Sequence, residues 1–289
     1  MDHQQTLARP ARCSGIGLHS GAPVALSIQP APADHGVRFR RTDISDRPNE
    51  IAAHALNVST TQLGTNLTNA SGVTVATVEH LLAAFAGLGV DNALVELDGP
   101  ELPILDGSAA PFCAIISASG LQQQDAPRRR LRILKTVEIA DGPKWVRLSP
   151  TPASSQSGFE AHVTIDYQSR AIGRQSIVFR MDESAFLLNI ARAKTFGFAH
   201  EVEKLRSMGL ARGGNLQNAI VVDGDDLLNP DMCETADEFV RHKLLDVIGD
   251  MYLAGAPIDG VYEGEQPGHA LNNRLLRAVF EDDAAFVLG

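Results

Sequence analysis

The sequence predicts an α+β fold made of two similar domains, each a β-sheet layered against helices. Short runs that alternate apolar and polar residues indicate strands, and segments with one apolar face indicate helices between them. One pattern also occurs twice, because 79–99 and 241–264 both contain a histidine, paired leucines, a glycine near a helix end, an aspartate and a strand. This repeat favours two α+β domains over one doubly wound sheet, which needs a regular alternation of strands and helices.

The expected N-terminal domain covers 1–125. Its first part is predicted to form strands and turns, as in "APVALSIQPA" and "GVRFRRTD", because alternating runs are broken by Gly, Pro, Asn and Asp. A helix is expected from about Val78, followed by a strand over 92–97 and a second helix from about Ser108. The apolar face of the first helix consists of Leu81, Leu82, Phe85 and Ala86.

The expected C-terminal domain covers 126–289 and begins within a polar stretch, "LQQQDAPRRR", that contains Pro127. Strand-like patterns return in "LRILKTVEIADGPKWVRLSP" and "FEAHVTIDY", and a helix is expected from about Glu183. After short helical and strand pieces, the chain continues with a helix over 238–255, a strand "IDGVYEG" and a last helix after Gly268.

The composition excludes several classes of protein. Of 289 residues, 44% are hydrophobic and 21% are charged, which is typical of a globular chain and not of disorder. The net charge of -10 disfavours a nucleic-acid partner, and the single basic run, "RRR" at 128–130, is expected to be a solvated linker or strand edge. The sequence has neither a signal-peptide pattern nor an apolar run of about 18 residues, so no transmembrane segment is expected.

The cysteines bear on the compartment. Cys13, Cys113 and Cys233 fit neither a disulfide framework nor a CxxC zinc site, which indicates a reducing environment. We therefore expect a cytoplasmic enzyme or binding protein, present as a monomer, whose partner is a small molecule.

A polar stripe runs along the helix predicted over 238–255. His242, Asp246 and Asp250 follow one another at intervals of four, so they share one face, with Cβ atoms of neighbours about 5 to 6 Å apart. Most other positions are apolar, and a buried carboxylate needs a partner. Imidazole and carboxylate in adjacent turns suit zinc, but HxxxD alone also fits a solvent-facing stripe or a core histidine with a hydrogen-bond partner.

The other histidine-bearing helix supplies residues that would complete a zinc site. His80 is a candidate third ligand. Glu79 precedes it directly and is a candidate base, because zinc enzymes pair a ligand histidine with a carboxylate that is free to take a proton. His269, after a Pro-Gly turn at the start of the last helix, is a candidate proton donor to a leaving group. In isolation, Glu79 also fits a surface helix position and His269 a capping or surface position.

Six stretches of this sequence, in order, resemble the UDP-3-O-acyl-N-acetylglucosamine deacetylases, the zinc amidases of lipid A synthesis in Gram-negative bacteria. They are "GIGLHSG", "ATVEHLLAAFAGLGVDN", "PILDGSAAPF", "ARAKTFGFAHE", "EFVRHKLLDVIGD" and "GHALNN". The resemblance spans nearly the whole chain. It implies two α+β domains with the active site between them. It also implies removal of the N-acetyl group from UDP-3-O-(3-hydroxyacyl)-N-acetylglucosamine, the committed step of lipid A biosynthesis, giving acetate and a free amine.

The resemblance also implies roles for individual residues. His80, His242 and Asp246 match the family's zinc ligands, Glu79 matches its general base and His269 matches its general acid. The expected metal is Zn²⁺, with Fe²⁺ as the alternative in cells, because ligand type alone does not decide between them. On this interpretation the polar stripe faces the cleft between the domains.

Further residues match the parts of the family that surround the metal. Asp250 matches the carboxylate that orients and polarises the acid histidine, and Thr195 and Lys243 match residues that bind or polarise the substrate carbonyl. An insert at about 196–215 is expected to form an apolar passage for the acyl chain, although its residues could equally belong to a core. The candidate lining residues are Phe196, Phe198, Leu205, Met208, Leu210 and Gly214.

Two positions depart from the family pattern. Gln266 stands where many relatives have a lysine that meets the diphosphate, so diphosphate binding is expected to be weaker or to come from another residue. Gly64 stands where some relatives have a cysteine near the metal, which changes the pocket wall and leaves the catalytic set intact. His19 belongs to a shared motif but has no role assigned by the sequence.

Two rival functions would use the same residues. A non-haem Fe(II) oxygenase also has two histidines and one carboxylate, but it needs neither a carboxylate base nor an acid histidine beside them, and the sequence suggests no site for a 2-oxo acid. An inactive binding protein with the same fold would be expected to lack Glu79 or His269, and both are present. The deacetylase function is therefore favoured over both.

Overall fold

A computed structural model describes residues 2–289. In the first part of the chain the elements are β1 (His3–Leu7), β2 (Ala11–Ile16), β3 (Pro23–Pro30), β4 (Val37–Arg41), β5 (Glu50–Ala52), β6 (Val58–Thr60), β7 (Asn66–Thr68), β8 (Thr74–Val75), α1 (Glu79–Leu88), β9 (Ala93–Leu97), α2 (Ala110–Ser119) and β10 (Leu121–Pro127). In the second part they are β11 (Leu131–Ile133), β12 (Val137–Asp141), β13 (Lys144–Ser149), β14 (Phe159–Asp166), β15 (Arg174–Arg180), α3 (Glu183–Asn189), β16 (Phe196–Phe198), α4 (Ala199–Ser207), β17 (Ile220–Asp223), β18 (Asp226–Leu227), α5 (Glu238–Tyr252), β19 (Ile258–Glu265), α6 (His269–Phe280) and β20 (Phe286–Leu288).

Two large sheets, one in each half of the chain, contain most of the strands. The first has the order β2-β3-β9-β4-β5. The second has seven strands, with the path β12-β13-β19-β11-β20 and with β14 paired to β19 and β15. Both sheets are mainly antiparallel. The first contains one parallel pair, β4 with β9, and the second contains two, β14 with β19 and β11 with β19. The smaller sheets are β1-β10, β6-β7-β8 and β16-β17-β18. The architecture is α+β, as the sequence predicted.

Helices α1 and α5 occupy corresponding places in the two halves. Each is followed directly in sequence by an inner strand of its own sheet, β9 after α1 and β19 after α5, which is the repeat seen in the sequence. The two helices pack against each other. Gly249 permits this contact, because a Cβ atom there would overlap the backbone of Glu79. The contact therefore brings the start of α1 against the polar stripe of α5.

Helix α1 forms as predicted and is buried on most of its surface. Leu81, Leu82 and Phe85 are buried and Ala86 is half-buried, which excludes water from the helix and fixes its position. The helix ends at Gly89, whose φ of 72° is left-handed and is the usual conformation of a helix-terminating glycine.

Helix α2 begins two residues later than expected, at Ala110. Asp106 accepts hydrogen bonds from the backbone N–H and the hydroxyl of Ser108, so Ser108 belongs to the preceding turn. The predicted helix from Glu183, the strand in 258–264 and the helix after Gly268 all occur. Among residues 2–289, no helix combines the length and the apolar character needed to cross a membrane.

Most of the polar stretch in which we placed the domain boundary is a strand, β10. β10 pairs antiparallel with β1. Within β10, Oε1 of Gln124 accepts a hydrogen bond of 2.7 Å from the side-chain amide of Asn92. Polar side chains with internal partners thus replace the apolar alternation that would have indicated a strand. The expected boundary between 125 and 126 falls inside β10, and the division into domains there stays a prediction. The basic run that follows is paired with carboxylates, because Arg128 donates to Asp91 and Arg130 to Asp2.

Candidate active site

Three side chains that can ligate a metal converge where α1 meets α5. His80 comes from α1, His242 and Asp246 come from adjacent turns of α5, and all three are buried. Their ligand atoms lie within 4.8 Å of one another. Oδ1 of Asp246 is 3.4 Å from Nε2 of His242 and 3.7 Å from Nε2 of His80. Ligand atoms roughly 2.0 to 2.2 Å from one tetrahedral ion lie roughly 3.3 to 3.6 Å apart, so the three side chains fit a single cation.

The hydrogen bond of His242 also suits a metal. Its Nδ1 lies 3.0 Å from the carbonyl oxygen of Ala193, which can only accept, so Nδ1 carries the hydrogen and Nε2 keeps a free lone pair. Burial is the main reason that the pKa of His242 is lowered to about 3, and the ring is therefore neutral at pH 7. A neutral imidazole can ligate a cation without first losing a proton.

One carboxylate oxygen of Asp246, Oδ2, accepts a hydrogen bond from the ammonium group of a lysine. Nζ of Lys243 donates to Oδ2 at 2.7 Å and also lies 5.5 Å from the centre of the Phe196 ring. Burial alone would raise the pKa of Asp246, but Lys243 and His242 hold it well below its usual range. Burial likewise opposes the charge of Lys243, yet Asp246 raises the pKa of that ammonium above its usual value. Both groups are therefore charged at pH 7.

Glu79 is a second buried carboxylate, directly before His80 at the start of α1. Its Oε2 accepts a hydrogen bond from the backbone N–H of Thr65 at 2.9 Å, and its Oε1 lies 3.9 Å from Nε2 of His269. Burial is the largest influence and raises the pKa of Glu79. A carboxylate with a raised pKa and a neighbouring imidazole is suited to take up a proton and pass it on.

His269 lies at the first position of α6 and bonds to the third member of the polar stripe. Its Nδ1 is 2.8 Å from Oδ2 of Asp250. Burial favours the neutral ring, but the carboxylates of Asp250 and Glu79 outweigh this and raise the pKa of His269 to about 10. The imidazolium is therefore the dominant form at neutral pH, as a general acid requires.

Asp250 is held by more donors than the sequence indicated. Its Oδ1 accepts from the hydroxyl of Thr65 at 2.6 Å, and its Oδ2 accepts from the side-chain amide of Asn272 at 2.8 Å in addition to His269. The Asn272 amide is oriented in turn by the buried hydroxyl of Tyr262, which donates to its Oδ1 at 2.7 Å. Asn272 lies in "GHALNN", so that motif could have pointed to it. Tyr262 lies in the predicted strand "IDGVYEG" and Thr65 follows Gly64, but nothing in the sequence indicated a role for either residue.

These groups line a cavity of about 390 Å³, which we call the metal cleft. Its walls include the three candidate metal ligands, Glu79, His269, Thr195 and Lys243, and also Lys144 and Gln266. Thr195 is fixed through its backbone, because its N–H donates to the carbonyl of Gly107 and its own carbonyl accepts from Ile220, both at 2.8 Å. The structure thus brings all eight residues that the sequence assigned to metal and catalysis to one region.

A second cavity, of about 590 Å³, adjoins the metal cleft, and we call it the apolar passage. Thr195, Phe196 and Lys243 line both cavities. Of the expected acyl-chain residues, four contribute to the walls: Phe196, Phe198, Leu205 and Gly214. Met208 and Leu210 lie outside these walls. Met208 follows the end of α4 directly and is 52% exposed.

A buried set of two histidines and one carboxylate, flanked by a carboxylate and an imidazolium and open to an apolar passage, is the site of a metal-dependent hydrolase. The family model described as "LpxC: UDP-3-O-acyl N-acetylglycosamine deacetylase" matches residues 4–281. The chain belongs to this family, as its resemblance in the sequence indicated, and the family is one of metalloenzymes.

Curated relatives cover almost the full chain. A protein from Phenylobacterium zucineum is 52% identical over 276 residues, which is 96% of this chain and 92% of the relative. One from Myxococcus xanthus is 49% identical over 284 residues, 98% of this chain and 88% of the relative. One from Neisseria meningitidis is 46% identical over 286 residues, 98% of this chain and 92% of the relative. All three are named UDP-3-O-acyl-N-acetylglucosamine deacetylase.

Proposed function

We propose that this protein is a zinc-dependent deacetylase of lipid A biosynthesis. Its substrate is UDP-3-O-(3-hydroxyacyl)-N-acetylglucosamine, and its products are acetate and the free glucosamine amine. The observation that carries the proposal is the buried set of His80, His242 and Asp246 with Glu79 and His269 beside it. Family membership supports the same substrate, because the relatives bear the name of that activity.

His80, His242 and Asp246 would hold the metal. When bound, a divalent ion in such a site polarises the substrate carbonyl and makes water a better nucleophile near neutral pH. Two imidazole nitrogens and one carboxylate oxygen suit Zn²⁺, which we propose as the metal, and Fe²⁺ is the alternative that the same donors accept. The hydrogen bond from His242 to Ala193 orients the imidazole in either case.

Glu79 is the proposed general base. It takes the proton from the water that attacks the acetyl carbonyl carbon. Burial raises its pKa toward the working pH, and the backbone N–H of Thr65 holds one carboxylate oxygen so that the other faces the metal cleft and His269. Because the carboxylate is fixed before the substrate binds, little reorganisation is needed at the reacting centre.

His269 is the proposed general acid. As an imidazolium it donates a proton from Nε2 to the departing glucosamine nitrogen, while Nδ1 stays bonded to Asp250. Its positive charge also favours the negative charge that develops on the carbonyl oxygen. Removing His269 is therefore expected to cost more than the proton transfer alone.

Thr195 and Lys243 are proposed to bind the polarised carbonyl. Both line the metal cleft at its junction with the apolar passage. Lys243 remains charged because its ammonium group is hydrogen-bonded to Asp246. The same ammonium group lies 5.5 Å from the centre of the Phe196 ring, and the two contacts together orient the side chain. An oriented cation and a hydroxyl near the reacting centre are suited to stabilise an oxyanion.

The two ends of the substrate are proposed to bind in different parts of the site. The acyl chain enters the apolar passage, where Phe196, Phe198 and Leu205 provide apolar surface. For the diphosphate we propose Lys144, which lines the metal cleft beside Gln266 and supplies the cation that position 266 lacks. The location in the cytoplasm and the monomeric state remain expectations from the sequence.

The test is product identification by mass spectrometry with the UDP-linked, acylated N-acetylglucosamine. The expected product has lost one acetyl group and retains its acyl chain, and acetate appears in equal amount. Release of the fatty acyl chain, or of UDP, with the acetyl group intact would contradict the proposed reaction. The Glu79→Ala variant is the matched control for a contaminating hydrolase.

A further inference from the structure

A three-residue segment, 63–65, lies between the apolar passage and the catalytic pair of Glu79 and His269. Leu63 lines both the metal cleft and the passage. Its side chain is 44% exposed, and its φ of 62° is left-handed, a conformation that a leucine rarely adopts. An exposed apolar side chain on a constrained backbone is thus placed where an acyl chain would pass.

On the passage side the segment is tied to the neighbouring loop through His19. Nε2 of His19 is 3.1 Å from the carbonyl oxygen of Leu63, and Nδ1 is 3.4 Å from the backbone nitrogen of Ala211, so the ring bridges the two. The backbone of His19 also accepts from Arg212 at 3.2 Å. Leu63, His19 and Ala211 all line the passage, so its occupancy acts directly on this group of residues.

On the catalytic side the same segment meets both carboxylates. A Cβ atom at Gly64 would lie 3.0 Å from Oε1 of Glu79, so the backbone of the segment is in close contact with the base. Thr65 is 1% exposed, its N–H donates to Oε2 of Glu79 at 2.9 Å, and its hydroxyl donates to Oδ1 of Asp250 at 2.6 Å. Two peptide units therefore separate the wall of the passage from the donors that orient the base and the partner of the acid.

We propose that residues 63–65 couple the acyl chain to catalysis, with Leu63 and Thr65 as positioning residues. An acyl chain in the passage covers Leu63 and restricts the segment, which fixes the two donors of Thr65 on Glu79 and Asp250. Binding energy from a remote part of the substrate is then expressed at the reacting centre, in kcat as well as in KM. This inference rests on the proposed function and specifies how the same site recognises its lipid.

Leu205 provides a matched comparison within the passage. It lines the same cavity from α4. Its backbone carbonyl accepts hydrogen bonds from the N–H groups of Met208 and Leu210, which lie at the end of its own helix and in the turn that follows. Truncating Leu205 removes apolar contact with an acyl chain, but it leaves the segment 63–65 as it is. The two leucines therefore separate loss of contact from loss of coupling.

The experiment measures kcat and KM of Leu63→Ala and Leu205→Ala on two substrates, one with the long 3-O-acyl chain and one with a 3-O-acetyl group that is too short to reach the passage. On the long-chain substrate, we expect Leu63→Ala to lower kcat about tenfold and Leu205→Ala mainly to raise KM. On the short-chain substrate, Leu63→Ala should lose clearly less kcat than on the long-chain substrate, because no chain covers position 63.

Two results would overturn the coupling. One is a Leu63→Ala variant that only raises KM, as Leu205→Ala does. The other is an equal loss of kcat on both substrates, which would mean that Leu63 supports the site irrespective of the chain. If the parent protein releases acetate from neither substrate, the proposed function fails, and this outcome is distinct from both.

Thr65 gives a second test that does not depend on Leu63. Thr65→Val keeps the shape and the backbone N–H but removes the hydroxyl, and Thr65→Ser restores the hydroxyl. We expect Thr65→Val to lose most of the kcat advantage of the long chain over the short one, and Thr65→Ser to recover it. Unchanged chain-length dependence in Thr65→Val, with metal content and melting temperature equal to the parent, would contradict the role of Thr65.

Discussion

Asp246 and Asp250 lie one turn apart on α5, and their surroundings differ. Asp246 has one oxygen bound by Lys243 and directs the other at two imidazoles, 3.4 and 3.7 Å away. Asp250 has both oxygens bound by donors, from Thr65, His269 and Asn272. A carboxylate with an available oxygen can ligate a metal, whereas one whose oxygens already accept hydrogen bonds can orient its neighbours. Equal spacing along a helix therefore does not imply equal roles.

The largest effect is expected from the turn that contains the metal ligands. His242→Ala removes one of the three proposed ligands, so the variant should lose both its metal and its activity. Metal analysis after gel filtration, together with acetate release, checks this. Retention of one metal per chain at parental activity would show that His242 is not a metal ligand.

The next largest effect is expected at Glu79, the proposed base. Glu79 is adjacent in sequence to the proposed ligand His80 but is not itself proposed as a ligand. Glu79→Ala should retain the metal, because His80, His242 and Asp246 are unchanged, and should lose activity by about 10² to 10⁴-fold. Metal content and kcat measured on the same preparation separate the two properties. His269→Ala is expected to behave in the same way, and normal turnover by Glu79→Ala would remove the proposed base.

A smaller effect is expected from the second carboxylate of the comparison, and it should depend on pH. The pKa of His269 is raised to about 10, so the acid stays protonated and active up to that pH. Asp250→Asn removes the nearest negative charge, which lowers the pKa of His269 and shifts the alkaline fall in kcat/KM to lower pH. The metal should remain bound. An alkaline limb at the parental pH would show that Asp250 does not set the protonation of His269.

The smallest effect is expected at Tyr262, which is three hydrogen bonds away from the proposed acid His269. Tyr262→Phe removes the donor to Asn272 and leaves a buried amide oxygen without a partner, which should cost about 1 to 3 kcal/mol of unfolding free energy. Activity should fall less than in Asp250→Asn, because Asn272 still donates to Asp250. Urea unfolding and kcat at pH 7 check both expectations, and a loss of activity as large as that of Asp250→Asn would reverse this order.

The local parts of the site were predictable from the sequence, and the long-range parts were not. His242, Asp246 and Asp250 are four residues apart, so helix geometry predicts that they share one face. The histidine in each of the two helices α1 and α5 indicated that these helices correspond. The bond between Thr65 and Asp250 joins residues 185 positions apart and leaves no periodic signal in the chain.

The same distinction applies to the fold. Helices α1, α5 and α6 carry clear apolar patterns and boundary glycines, and they formed where expected. Strand β10 was missed because its residues are mostly polar, and the bond between Gln124 and Asn92 forms only in the folded chain. Met208 and Leu210 were expected in the passage because they are apolar and lie in the insert at about 196–215 that the family resemblance implies, but neither lines the cavity.

The most direct test of the account combines metal content with acetate release from the UDP-linked, acylated N-acetylglucosamine. Protein treated with a chelator should contain no metal and release no acetate, and one equivalent of Zn²⁺ should restore both. The Asp246→Ala variant, treated identically, should regain neither. Full turnover by the metal-free protein would contradict the central claim that His80, His242 and Asp246 form the metal site of a deacetylase.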